Sequence, residues 1–301
     1  MKFAIRDDDL NYFFQPNQIE SNYKDIWDIC PVSMSVVPFI KGDWKKQISD
    51  FEISGPGIIK DHVLKSIHDD SIINPIGKNI DLVKFVNNQI KKNRIYLTIH
   101  AIHHRNEDLI VPQFKSNYGI GAEFYTSRDL YEPLKAAIKY LETTFDQVIK
   151  VFTPPQNLLN LNGINSVTKN SLAICGNFPR MKNISTIKLF GIFNYFKYGF
   201  VKYVLNFKVY PFVLSHNDFR FVGHHSLQPS TNIEDLYLAF EKNYKLANSV
   251  FVISTHSYGF DSKMKKSNKT MGVVLKEFVE YAAKKRNIQF VTIKEIFDDK
   301  I

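Results

Sequence analysis

The chain has only two cysteines in 301 residues, Cys30 and Cys175, each set in an apolar, strand-like run. That excludes a disulfide framework and a cysteine-rich metal site, and it suits a reducing compartment. No uncharged apolar run reaches the roughly eighteen residues that a spanning helix needs. The opening MKFAIRDDDL meets three aspartates directly after its first few apolar residues, which leaves no space for the apolar core of a signal peptide. The expected location is therefore cytoplasmic, with any membrane contact made at the inner face. Zinc-finger and RNA-recognition signatures are missing, as are internal repeats and low-complexity linkers. Lys and Arg outnumber Asp and Glu by 39 to 30, but the excess of +9 is spread along the chain. It reads as solubilising surface charge, and no nucleic-acid partner is expected.

What is present is ample core, with 44% apolar residues, and an alternation of short apolar runs with helix-like stripes. Residues 2–6 alternate and predict a strand that stops at Asp7-Asp8-Asp9. Residues 31–39, PVSMSVVPF, have the β-branched run of a buried parallel strand. Helical spacing follows over 79–93, 129–149, 162–170, 232–247 and 270–286. Strands are predicted over 96–100, 149–153, 172–175 and 251–255, with a last strand and helix in IQFVTIKEIF. Residues 41–71 read as loop. This alternation predicts an α/β fold built on a parallel sheet or barrel. The whole of 1–301 reads as a single domain carrying an insertion at about 180–230.

The densest chemistry lies in residues 96–107, YLTIHAIHHRNE, where His100, His103 and His104 crowd the far end of a strand. Neutral imidazole is the commonest protein ligand for a transition metal, and two histidines four apart can face one point where a strand turns. Taken alone, such a pair is more often two unrelated histidines. Likewise Asp7 to Asp9 read either as a hydrated turn or as carboxylates facing a cation. Position is what connects them. Asp7 to Asp9, His100 to His104, Pro154-Pro155 and His256 each fall at the carboxyl end of a separate predicted strand, the rim on which parallel barrels build their sites.

At this point the chain resembles the polysaccharide deacetylase family, the NodB-homology group of carbohydrate esterases. It is most similar to divergent members linked to cell-surface glycan and O-antigen synthesis. The resemblance runs in motif order over nearly the whole chain: the aspartates in IRDDDL, the His-x-x-x-His pair His100 and His104, the Pro-rich FTPPQN, and FVISTHSYGF followed by FVTIKEI. It implies a distorted (β/α) barrel of about seven parallel strands. It also implies a divalent metal, zinc as first candidate, bound by Asp9, His100 and His104. In the implied roles Asp8 is general base and His256 is general acid; Asp7 as base with Asp8 as ligand is the competing register. Pro154, Pro155, Asn157, His103 and His225 are the implied substrate-side residues, with His103 the alternative third ligand.

Two departures stand out. FTPPQN has no Arg to orient the base, and Arg6 beside the aspartates is the substitute on offer. The aromatic stretch 184–214 carries four lysines and no acidic residue, which fits either a peripheral membrane surface or, as the favoured reading, a helical insertion packed on the barrel or an oligomer interface. The expected activity is hydrolysis of the acetyl group of an N-acetylated sugar, free or carried on a lipid or nucleotide. The alternatives are hydrolysis of another amide or an O-acetyl ester, and a non-catalytic glycan-binding role. His224 and His225, and Glu123 in GAEF, are left between the pocket and an ordinary loop or surface place.

Overall fold

The computed structural model describes residues 1–42, 72–104, 122–178 and 183–298. In chain order the elements are β1 (Lys2–Leu10), α1 (Pro16–Tyr23), β2 (Val32–Val36), β3 (Phe39–Lys41), β4 (Ile73–Pro75), α2 (Ile80–Lys91), β5 (Ile95–Ile99), α3 (Tyr131–Phe145), β6 (Val151–Phe152), α4 (Leu161–Lys169) and β7 (Ala173–Cys175). There follow α5 (Asn183–Phe190), α6 (Ile192–Gly199), β8 (Leu214–His216), β9 (Phe219–Val222), β10 (His225–Ser226), α7 (Ile233–Tyr244), β11 (Val250–Thr255), α8 (Met271–Ala283), β12 (Gln289–Phe290) and α9 (Ile293–Asp298). Most of the expected loop 41–71 and the tail of the histidine motif, 105–107, lie outside the described residues.

Strands β11, β1, β2, β5, β6, β7 and β9 pair in that order, all parallel. Only Gly223 and His224 separate β9 from β10, and β10 pairs in parallel with β11, so one run from Phe219 to Ser226 closes the ring. The result is a parallel α/β barrel distorted at that break and extended by β8, which pairs antiparallel with β9. The expected strand at 31–39 divides: β2 stays in the ring, while β3 leaves it to pair with β4.

Two layers fill the barrel interior. The lower one is apolar: Ala4, Val151, Ala173, Val222, Val250 and Val252 pack against Ile293, Ile296 and Phe297, so α9 plugs that end. Above them the inward positions become polar, with Arg6, Ser35, Thr98, Thr153 and Ser254 all buried. Outward residues of β1 and β11 meet the helices. Phe3, fully buried, touches the rings of Phe240 on α7, Phe251, Phe278 on α8 and Phe290.

Replacing Phe3 with Ala leaves a cavity at this four-ring contact and is expected to cost about 3–5 kcal/mol, read as a lowered urea midpoint at unchanged slope.

Candidate metal centre

Strand β1 continues through the aspartates to Leu10, correcting the expected stop at Asp7. The reason is that each carboxylate is partnered. Asp7 pairs with Met34 across the ladder to β2, but the next pair is Leu10 with Val36, so β1 carries one extra residue at Asp8-Asp9. Asp9 has φ +76°, the left-handed region that L residues other than Asn and Asp rarely enter. Such a bulge breaks the alternation of a strand and re-aims a side chain. Asp8 and Asp9 can therefore both serve the barrel mouth, although they are neighbours.

Asp9 Oδ1 lies 3.2 Å from His100 Nε2 and 3.1 Å from His104 Nε2. One donor atom from each of these three buried residues lies within 4.8 Å of the others. His100 Nδ1 bonds the Thr153 carbonyl at 2.9 Å, an oxygen that only accepts, so Nδ1 carries the proton and Nε2 presents a lone pair. Asp9 Oδ1 is buried and makes no hydrogen bond. A lone pair facing an orphaned carboxylate oxygen in a dry site is the arrangement a cation would satisfy, and a carboxylate with two imidazoles is a donor set suited to zinc and similar divalent ions. The residues fit a metal. Burial raises the Asp9 pKa, whereas positive charge on His104 and His100, in the absence of a metal, would hold it well below the usual carboxylate range.

Asp8 sits beside this cluster. Arg6 Nη2 donates to Asp8 Oδ2 at 2.7 Å and to Asn157 Oδ1 at 2.9 Å, while Arg6 Nη1 donates to the Cys175 carbonyl at 2.9 Å. Ser35 Oγ donates to Asp8 Oδ1 at 2.8 Å and is itself in reach of Thr98 and Thr153. Arg6 thus links Asp8 to the Pro-rich turn, whose FTPPQN has no arginine of its own. Pro154 and Pro155 shape the turn that brings Asn157 to it, and Gln156 and Asn157 both adopt positive φ there. From β11, His256 Nε2 approaches Asp9 Oδ2 to 3.6 Å with its side chain 27% exposed. The Tyr258 hydroxyl donates to the same oxygen at 3.2 Å.

Asp7 turns the other way, towards α1. Its Oδ1 accepts the Ser257 N–H at 2.8 Å, and burial pushes its pKa up to about 7. His103 is not among the converging ligands; its Nδ1 bonds the Phe39 carbonyl at 2.8 Å. His225 stacks on Phe251 at 4.3 Å between centroids, on the helix-packed side of the sheet. Of that pair it is His224 that enters the polar layer, its Nδ1 2.6 Å from Ser254 Oγ. Burial first, then the charge of Arg6, presses His224 well below the ordinary histidine pKa.

Glu123 is no surface residue. It is buried, and its carboxylate accepts the backbone N–H groups of Ile102 at 2.8 Å, His103 at 3.0 Å and His104 at 3.2 Å. Ala101 and His104 in this loop both have φ +72°, so Glu123 clamps a strained turn that presents His104. Its segment runs tightly over α4, where a Cβ at Gly163 would lie 2.1 Å from the Phe124 carbonyl oxygen. Sequence reasoning did not reach Ser35, Thr98, Thr153 or Tyr258; the run of small hydroxyl residues at inward strand positions was the available signal.

No protein-family model matches the sequence, and no curated protein does either. Solved structures do. One from Mycobacterium smegmatis, assigned as a polysaccharide deacetylase, superposes with a TM-score of 0.51 at 9% identity, covering 98% of this chain and 88% of that one. The fold is the NodB-like distorted barrel. A protein of Enterococcus faecalis V583 assigned to cellobiose-phosphate cleavage gives 0.50 at 12% identity, covering 98% of both chains. A family 4 acetyl xylan esterase from Clostridium thermocellum, solved with cobalt, gives 0.45 at 10% identity over 99% of this chain and 90% of its own. At such identities the likeness concerns the scaffold, and activity must be argued from the site.

Glu123→Ala strands three N–H groups, those of Ile102 and His104 buried and that of His103 partly so, and is expected to cost about 3 kcal/mol. Glu123→Gln should fall between it and the native chain, with faster hydrogen exchange in both confined first to Ile102–His104. A second expectation concerns pH. The Asp7 carboxyl ionises near 4 when unfolded and at about 7 when folded, so in metal-free protein its contribution is complete at low pH and lost as pH rises across that window. Asp7→Asn keeps an acceptor for Ser257; it should match the native chain near pH 4 and exceed it by up to about 4 kcal/mol above pH 7 in thermal melts.

Proposed function

We propose that the chain is a metal-dependent hydrolase that removes the acetyl group of an N-acetylated sugar during surface-polysaccharide or O-antigen synthesis. The observation that carries this reading is the convergence of Asp9 Oδ1 with the Nε2 atoms of His100 and His104, with Asp8 the neighbouring residue of β1 and His256 Nε2 3.6 Å from Asp9 Oδ2. A divalent ion held by Asp9, His100 and His104, zinc as first candidate, supplies a Lewis acid for the acyl oxygen and lowers the pKa of a bound water.

The chain's own groups carry the proton movements. Asp8, fixed by Arg6 and Ser35, presents an oxygen that accepts a proton from the attacking water as the new C–O bond forms at the acetyl carbon. His256 reaches the opening of the site and donates a proton to the sugar nitrogen as the C–N bond breaks, because an amine leaves poorly as an anion. The products are acetate and a free amino sugar. Arg6 restores the base-orienting contact that FTPPQN cannot make, which supports turnover over a purely glycan-binding role. The same machinery would cleave an O-acetyl ester; the choice of an N-acetyl substrate and of its carrier rests on the motif resemblance.

Purified native protein is expected to carry close to one divalent metal per chain by elemental analysis, with His100→Ala losing it. Acetate release from an N-acetylhexosamine should fall roughly 10²–10⁴-fold in Asp8→Asn and in His256→Ala, with metal content retained. Turnover of an aryl acetate ester alone would move the reading to an esterase. Full metal content without acetate from any sugar would leave a binding protein, and no metal after reconstitution would sink the proposal.

A further inference from the structure

Residues 192–204 form one continuous helical stretch, α6 followed by a π-helical turn at Phe200–Val204. Its inner face is settled: Val201 is buried, and Tyr198 stacks on Phe178 at 4.0 Å and lies near Tyr210. The outer face is apolar as well. Phe193 is 88% exposed, Phe196 66%, Phe200 54%, Tyr203 76% and Val204 67%, at the spacing of a single helical stripe. Two aromatic faces on one helix leave the outward one without a described partner. Scattered exposed apolar residues need no explanation, but a contiguous aromatic row does.

The charge carried by the row's own segment is of one sign. Lys188 and Lys197 are exposed, and Lys202 lies beside the stripe with its Nζ 3.1 Å from the Tyr198 hydroxyl. No Asp or Glu occurs between Asp146 and Asp218, and Asp235 is already paired with Lys208 at 2.9 Å. No described helix is long and apolar enough to cross a membrane.

We propose that this stripe is a membrane-contact surface which lies in the plane of an anionic lipid bilayer, its aromatic rings among the upper acyl chains and its lysines at the phosphate level. Charge complementarity selects this occupant. A symmetric second copy would set the same lysines against one another, and their own segment, which has no Asp or Glu between 147 and 217, offers no carboxylate to offset them, which is unfavourable in a two-fold interface. Lysines flanking an interfacial aromatic row can instead extend along the bilayer surface and reach its phosphates. The surface is independent of the catalytic reading and stands or falls without it.

The test is co-flotation of the full chain with vesicles of phosphatidylcholine containing about one third phosphatidylglycerol, beside pure phosphatidylcholine, at low and high salt. The native chain should float with the anionic vesicles and be released by salt, since exposed charges are screened. Phe193→Ser/Phe196→Ser and, separately, Lys188→Glu/Lys197→Glu should each lower the bound fraction about tenfold or more. Unchanged circular dichroism is expected for both because the altered side chains face solvent; the single Phe193→Ser variant repeats the test with the least perturbation. Absence of flotation with anionic vesicles, or flotation unaffected by these substitutions, would overturn the proposal. So would a dimer in light scattering that Phe193→Ser dissolves, which would assign the surface to a second copy.

Discussion

A fully buried guanidinium in the middle of the barrel is the constraint on which the site depends. An unpaired charge there would be untenable, and the two terminal nitrogens of Arg6 are met by Asp8, Asn157 and the Cys175 carbonyl, while its Nε makes no hydrogen bond. Those contacts tie β1 to β7 and to the Pro-rich turn after β6. They also fix the rotamer of Asp8, whose second oxygen is taken by Ser35. Asp8 is thereby held in one orientation without an arginine in the Pro-rich motif. The contact matters more than the place in the chain from which it comes.

The centre grows from the layering beneath Arg6. Alanine and valine at the lower inward positions, sealed by α9, keep water out of one end of the barrel. The hydroxyl residues one step higher give the polar groups at the other end their partners. The remaining strain is local: Asp9, Ala101, His104, Gln156 and Asn157 all adopt positive φ around the site. Backbone of this kind persists only where surrounding contacts over-determine it, and Glu123, Arg6 and the bulge in β1 are those contacts here.

The aromatic helix follows a different logic. The barrel sinks its charges and pairs them, whereas residues 192–204 expose rings and leave lysines at their edge. Sequence reading favoured packing for this stretch, and the inner half of the helix does pack, through Tyr198 and Val201. The outer half does not, because a helix has two sides and the barrel wall covers one.

The choice of a barrel came from the family resemblance; from the residue pattern came the period of the elements, an α/β fold on a parallel sheet or barrel, and the strand ends near which Asp8, Asp9, His100, His104 and His256 sit. These are local properties: alternation, helical spacing and turn residues are written within a few positions of one another. The extra residue in β1 is not local, since it exists only as a mismatch with β2, and it alone lets adjacent Asp8 and Asp9 share one mouth. Nor could spacing place Glu123 beneath a loop twenty residues earlier, send His103 to the Phe39 carbonyl, or turn His224 inward and His225 out. Pairing between distant segments decided each of those, because only the closed barrel sets which neighbour a buried polar group finds.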